Sequence, residues 1–359
     1  MKPLRVAIDT NPLYVTRAGV ARYVRGLMRG LAGLDAPDST WLPLAWEVEN
    51  FSYDQPTRAL KTAFRELIWA PWLAPRRLLA AGTELLHSTV EAVISPPVNV
   101  AHVVTLHDLA LLRHPERFRR WQRFAGTRRL QRLAAVDHII CISQFTADEA
   151  MRLLGLPARR LAVVHNGLDD LTPVAGEPPP APIASKEFFL FVGSLEPGKN
   201  LALLRSVWNA AATSGQPLPP LLIAGTRWQG VPNEGPPPAD WHFLGHVPDA
   251  LLAQLYQRAL ALVFPSKYEG FGLPVLEAMG RGCPVICSPV ASLPEVGGDA
   301  TWWCALDAPS YLAALRECAQ NGKTRDAFVQ AGPAQARKFS WAKCATETVA
   351  VYRNVLRSR

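Results

Sequence analysis

The sequence lacks most of the short signatures that would assign a chemistry outright. No Gly-x-Gly-x-x-Gly follows its first strand-like run, so a nicotinamide enzyme is poorly supported, and the P-loop pattern is absent as well. Six cysteines (141, 283, 287, 304, 318 and 344) are scattered without Cys-x-x-Cys spacing, which argues for reduced thiols. No His/Cys/Asp cluster has metal-ligand spacing, and no metal site is expected. No run approaches the uninterrupted apolar length of a spanning helix, and no signal-peptide core precedes the strand-like Leu4–Ile8. A cytoplasmic protein is expected, with peripheral contact to the inner face of the plasma membrane left open.

What is present suits two medium domains. The 359 residues are 49% hydrophobic and 19% charged, enough for sizeable cores and against overall disorder. The net charge of +8 is lopsided, because residues 1–170 carry 22 Lys/Arg against 16 Asp/Glu. That asymmetry marks the half expected to meet an anionic partner.

In the first half, apolar strand candidates (4–8, 85–88, 100–106, 138–143 and 161–165) alternate with helical stretches such as 20–34 and 144–154. Strands separated by helices imply a parallel sheet covered on both faces. Residues 172–185 then hold five prolines, which cannot join a sheet interior and read as a stiff connector. The pattern restarts with candidates at 188–193, 221–224, 242–244, 260–264 and 285–287, and closes on an amphipathic helix at 341–356 with Ala345, Val349, Tyr352 and Leu356 on one face. The expected fold class is α/β, with two Rossmann-like doubly wound domains facing across a cleft. The expected division is 1–171, a linker at 172–185, a second domain at 186–340, and a terminal helix at 341–359.

The sharpest segment runs from Phe264 to Val285. A strand ends at Phe264, a glycine loop follows, Pro274 suits the first position of a helix, and Gly282 with Pro284 stops it. Glu269 lies in the loop and Glu277 lies eight positions on, within the helix. Loop amides and a helix N-terminus between them suit a diphosphate, while carboxylates suit sugar or ribose hydroxyls. A glutamate in a first helical turn and a Gly-Phe-Gly turn are each commonplace singly. Two carboxylates bracketing such a loop favour a functional site.

The run Pro-Ser-x-x-Glu269-Gly-Phe-Gly-Leu-Pro-x-Leu-Glu277-Ala-Met resembles the signature of the group-1 retaining glycosyltransferases of the GT-B fold. Further segments fall in that family's order. Phe191 to Leu201, containing Gly193-Ser194 and Gly198-Lys199-Asn200, resembles the diphosphate loop, which by resemblance makes Lys199 the phosphate-neutralising cation. Many relatives carry an arginine where Gly198 or Ser194 stands here, and Arg227 is a candidate replacement. The loop 243–249 resembles the segment bordering the base, which points to Val247. In the first half, Arg17-Ala18-Gly19 resembles the glycine loop near the donor phosphates, and His107 the strand-end histidine beside the transferring sugar. A lone histidine after an apolar strand is otherwise more often a packing residue.

The resemblance implies a metal-independent hexosyltransferase with no cofactor, its donor a nucleotide-diphosphate sugar. The absence of Asp-x-Asp points the same way, against the metal-dependent sugar transferases of the other common fold. By resemblance Glu269, His107 and Lys199 are the catalytic candidates. Gly19, Ser194, Lys199, Arg227, Val247, Glu269, Gly270, Phe271, Gly272, Leu273 and Glu277 are the donor-binding ones. The texture is nearest to O-antigen mannosyl- and rhamnosyltransferases, which suggests a GDP-mannose-type donor, a glycan or polyprenyl-linked acceptor, and a place in surface polysaccharide or lipopolysaccharide synthesis. A nucleotide-sugar epimerase of the same fold, or a non-catalytic scaffold, are the alternatives. Finally, 113–132 holds eight arginines against Glu116 alone, with Phe118, Trp121, Phe124 and Leu130 interleaved. It reads equally as a contact to an anionic membrane or a polyprenyl diphosphate, or as a solvated helix face, with nucleic acid well behind.

Overall fold

The computed structural model describes residues 4–15, 19–46, 58–91, 94–168, 187–227, 236–320 and 322–359. The connector expected at 172–185 lies outside them. The chain divides into two compact units, Met1–Asp169 with Phe339–Arg359, and Asp170–Lys338.

The first unit is built on six parallel strands: β1 (Leu4–Asp9), β2 (Ser39–Leu44), β3 (Leu85–Ser88), β4 (Ala101–Leu106), β5 (His138–Cys141) and β6 (Leu161–Val163). Their order is β2-β1-β3-β4-β5-β6. β2 escapes the sequence reading because Pro43 interrupts it. As an edge strand paired only with β1, where Pro43 faces Ile8, it tolerates the missing N–H. Helix ends follow local chemistry: Ser143 caps Gln144–Leu154 by accepting from the Thr146 N–H at 3.1 Å, and Gly155 closes it at φ 64°.

The terminal helix, Trp341–Ser358, belongs to this unit. Its seat is cut by glycines. A Cβ on Gly26 would lie 2.0 Å from the Trp341 ring, one on Gly30 2.4 Å from the Trp341 carbonyl oxygen, and one on Gly167 2.1 Å from the Trp341 nitrogen. The helix Gly19–Ala32 thus meets the terminal helix at a distance only glycine allows.

The second unit carries β7 (Phe189–Val192), β8 (Leu221–Ala224), β9 (Trp241–Gly245), β10 (Leu262–Phe264), β11 (Val285–Cys287) and β12 (Trp302–Trp303), in the order β12-β11-β10-β7-β8-β9 and all parallel. Both sheets reverse direction once. In the first the chain steps outward from β1 to β2 and then crosses to β3; in the second it runs β7-β8-β9 and then returns to β10 beside β7. Each reversal opens a crevice at the carboxyl ends of the flanking strands, where open α/β sheets bind ligands. The six cysteines are buried thiols, and burial pushes Cys141 and Cys318 up to about 12, which keeps them unreactive.

Candidate active site

In the second unit the crevice between β7 and β10 receives two loops. After β7 the chain turns at Gly193 and runs through Ser194 to the short helical turn Pro197–Lys199. Glu196 shapes that turn, its buried carboxylate accepting from the Gly198 N–H at 2.8 Å. After β10, Lys267 N–H donates to the Gly198 carbonyl at 2.9 Å, which ties the two loops together. There the Lys199 ammonium donates to the Glu269 carboxylate in a half-buried ion pair, and the same ammonium lies 5.2 Å from the Phe264 ring centroid. A carboxylate and a cation already paired in a partly dry crevice leave neither charge uncompensated before a ligand arrives.

The loop 265–272 is held from behind. Ser292 Oγ donates to the Glu269 carbonyl at 2.9 Å and Ser288 Oγ to the Ser266 carbonyl at 3.1 Å. It ends at Gly272, whose φ of 106° and a would-be Cβ 2.6 Å from Leu293 demand glycine. The helix Leu273–Gly280 begins immediately, and Pro274 occupies its second position, not the first, because Leu273 is already helical. Within that helix Glu277 accepts from the Tyr256 hydroxyl at 3.1 Å, which aims its carboxylate. The amides of Gly270 to Leu273 therefore lie between the two carboxylates, at a helix N-terminus.

The neighbouring strand ends complete a shelf. Gly193 and Gly225 sit at φ 153° and 152°, and a Cβ on Gly225 would fall 1.8 Å from the Gly193 carbonyl oxygen. Gly225 N–H donates to the Gly245 carbonyl at 2.7 Å, and Leu195 pairs with Arg227 in an isolated parallel bridge. Exposed Arg227 is thereby placed beside the Lys199 loop, and Val247 follows Gly245 with its side chain buried.

The crevice of the first unit has a different chemistry. Thr89, just past β3, bridges it: its hydroxyl donates to the Asp9 carbonyl at 2.6 Å, and its carbonyl accepts from His107 Nε2 at 2.8 Å. Because a carbonyl can only accept, Nε2 carries the proton and Nδ1 is left as the acceptor. Burial lowers the His107 pKa, keeping the ring neutral. The Tyr23 ring stands edge-on to it, 5.0 Å between centroids. Tyr23 OH bonds Thr105 Oγ1 at 2.8 Å, Thr105 bonds His87 Nε2 at 2.7 Å, and His87 Nδ1 bonds the Tyr352 hydroxyl of the terminal helix at 2.5 Å. Gly19 opens the helix that carries Tyr23. Asp9, whose pKa burial raises, accepts from both nitrogens of Asn11.

The arginine run is only partly a solvated face. Arg113 forms a two-pronged pair with buried Glu149 at 2.6 and 2.7 Å, and Arg129 reaches Glu66 at 2.7 Å. A separate hollow of about 650 Å³, lined in part by Glu84, Asn99 and Arg359, opens at the amino ends of β3 and β4, away from all these groups.

Missed by the sequence reading were Thr89, Tyr256, Ser292 and the close packing of Gly225 on Gly193. The glycines had a signal: β7, β8 and β9 each run into a glycine at the carboxyl end. The others are ordinary residues whose partners lie far off in the chain.

Two doubly wound parallel sheets, each with a crevice at its switch point, place the chain in the Rossmann-like α/β class. Residues 178–335 match the family model described as "Glycosyl transferases group 1", and 17–170 that described as "Glycosyltransferase Family 4". The chain is 33% identical to O-antigen chain mannosyltransferase B of Escherichia coli over 70% of each chain. It is 28% identical to the serotype-specific mannosyltransferase WbdA of Escherichia coli over 76% of its own length, but spans only 36% of that relative. Among solved structures, sucrose-phosphate synthase from Thermosynechococcus elongatus superposes with a TM-score of 0.73 at 18% identity, covering 99% of this chain and all of that one. HepE of Anabaena in complex with UDP-glucose does so at 0.68 and 16%, covering 97% and 99%. The chain belongs to the group 1 glycosyltransferases, and its fold is GT-B.

Proposed function

We propose that this glycosyltransferase moves mannose, or a related deoxysugar, from a GDP donor to a hydroxyl of a growing glycan, with retention of anomeric configuration. The observation that carries the reading is the Lys199–Glu269 pair at the β7/β10 crevice, beside the helix-terminal amides 270–273. The second unit holds the donor and the first the acceptor. Glu277, aimed by Tyr256, accepts from the ribose hydroxyls, and Glu269 from the sugar hydroxyls. Lys199, the amides and exposed Arg227 stabilise the charge that develops on the leaving diphosphate, the service a metal ion performs in other transferases. The bond from the anomeric carbon to the phosphate oxygen breaks with its electron pair going to the diphosphate. The acceptor oxygen attacks the same face, and its proton passes to that phosphate oxygen. His107 Nδ1, fixed as an acceptor, takes a hydrogen bond from a sugar hydroxyl. The mannosyltransferase relatives support the donor and the glycan acceptor.

The test is release of GDP from GDP-mannose with and without mannose-terminated oligosaccharides, followed by NMR of the product linkage. Acceptor-dependent release with an α-linked product is expected. Sugar conversion without acceptor, or an inverted linkage, overturns it.

A further inference from the structure

A helical segment of the first unit carries its apolar residues on two sides. It runs from Arg58–Phe64 through a π-helical stretch, Arg65–Leu73, into Ala74–Ala80, and the wide turn lets Pro71 sit inside it while the Ala74 N–H reaches back five residues to Trp69. One side, with Trp69, Ala70, Ala74 and Leu78, is buried. On the other, Leu60 is 74% exposed, Leu67 69%, Ile68 45% and Trp72 63%. Water-facing helices of soluble domains place polar residues on that side. An apolar stripe of this length, with a tryptophan at its end, is the mark of a surface that meets something.

The charges around it say what. Residues 58–80 contain five Lys/Arg and residues 117–132 seven, against Glu66 alone. Glu66 is consumed by Arg65 at 2.9 Å and Arg129 at 2.7 Å, and the second of these pairs brings the arginine-rich helix Arg120–Arg132 alongside the stripe. That helix exposes its own aromatics, Trp121 and Phe124, with Arg128 placed over the Phe124 ring at 5.0 Å. So dense a positive field repels a second copy of itself, and aliphatic side chains such as Leu67 and Ile68 find no purchase on a nucleic acid. Among the described residues no helix is long and apolar enough to cross a membrane.

We propose that the stripe Leu60–Trp72 lies in the interfacial layer of an anionic lipid bilayer, with Arg120, Arg123 and Arg128 over the lipid phosphates. The apolar side chains supply the insertion and the guanidinium groups the preference for anionic lipid. This surface is independent of the donor chemistry above.

The experiment is co-sedimentation of the whole protein with vesicles of phosphatidylcholine alone and of phosphatidylcholine mixed with phosphatidylglycerol. Wild type is expected on the mixed vesicles only. Leu67→Glu/Trp72→Glu should weaken that partitioning by about tenfold or more, and Arg120→Ala/Arg123→Ala by about fivefold for each arginine. Thermal melting should be unchanged in both, because all four side chains point to solvent. Failure of wild type to bind anionic vesicles overturns the proposal, as does equal binding by both variants. A solution dimer that Leu67→Glu/Trp72→Glu dissolves, without vesicle binding, also overturns it and assigns the stripe to self-association.

Discussion

The two crevices occupy equivalent places in their sheets and solve opposite problems. Between β7 and β10 the chain places a cation, two carboxylates and a helix N-terminus on glycine-cut loops, an arrangement that answers a charged ligand. Between β1 and β3 it places no cation: His107, Thr89, Tyr23 and Thr105 are uncharged hydrogen-bonding groups, with the buried Asp9 carboxyl held by Asn11 behind them. Under the proposed function the first crevice stabilises charge as it develops on the diphosphate, and the second orients sugar hydroxyls. Mutations should therefore cost far more in the first than in the second.

The largest effect is expected at the ion pair. Lys199→Ala strands Glu269 and removes the cation proposed to face the leaving diphosphate, so kcat should fall by about 10³-fold with the fold retained, as read by nucleotide release. Loss of less than tenfold would erase the distinction between the crevices. Gly225→Ala should destabilise by about 2–4 kcal/mol in urea unfolding, because its Cβ meets the Gly193 carbonyl in a conformation L-residues avoid. Gly155→Ala, also at positive φ but with nothing within 4 Å, separates backbone strain from the clash and should cost only about 1–2 kcal/mol. His107→Phe deletes the one neutral hydrogen bond proposed to reach the substrate, and about a tenfold fall in kcat/KM is expected. A 10³-fold loss would mean His107 does more than orient.

A pH slope is expected as well. His87, with an ordinary value of 6.5, is held down to about 3 by burial. Above pH 6.5 both folded and unfolded chains are neutral there, and its contribution is intact. Below pH 6.5 the unfolded chain takes up a proton that the folded chain refuses. Stability should then drop by about 1.4 kcal/mol per pH unit from this residue as the pH falls toward 3. His87→Gln should flatten the fall in urea midpoint between pH 7 and pH 5, whereas an unchanged slope would place the titration elsewhere.

The same contrast explains what was legible beforehand. The charged crevice is written in two short runs, 191–201 and 264–285, because a strand, its loop and the next helix are contiguous and each loop carries its own chemistry. The strand alternation and the terminal helix were readable for the same reason of local periodicity. The neutral crevice joins Asp9, Thr89, His107 and Tyr352, whose meeting depends on strand order, and hydrophobic period carries no strand order. β2 hid behind Pro43, a residue that excludes central strands but not an edge. The sequence analysis assigns nothing to 60–72, and only the fold shows which side of that segment is buried. Similarly, the arginine run looked uniform until Glu149 and Glu66 claimed Arg113 and Arg129.

The most direct test of the charged crevice as a diphosphate site is thermal stabilisation by GDP, UDP, ADP and dTDP. Wild type, Lys199→Ala, Glu277→Ala and His107→Phe would be compared. At a hundred times its Kd, one nucleotide should add about 2.7 kcal/mol to wild type. The gain should collapse in Lys199→Ala, shrink in Glu277→Ala and survive in His107→Phe. A shift undiminished by Lys199→Ala, or no shift with any nucleotide, would contradict the assignment of the donor to the β7/β10 crevice.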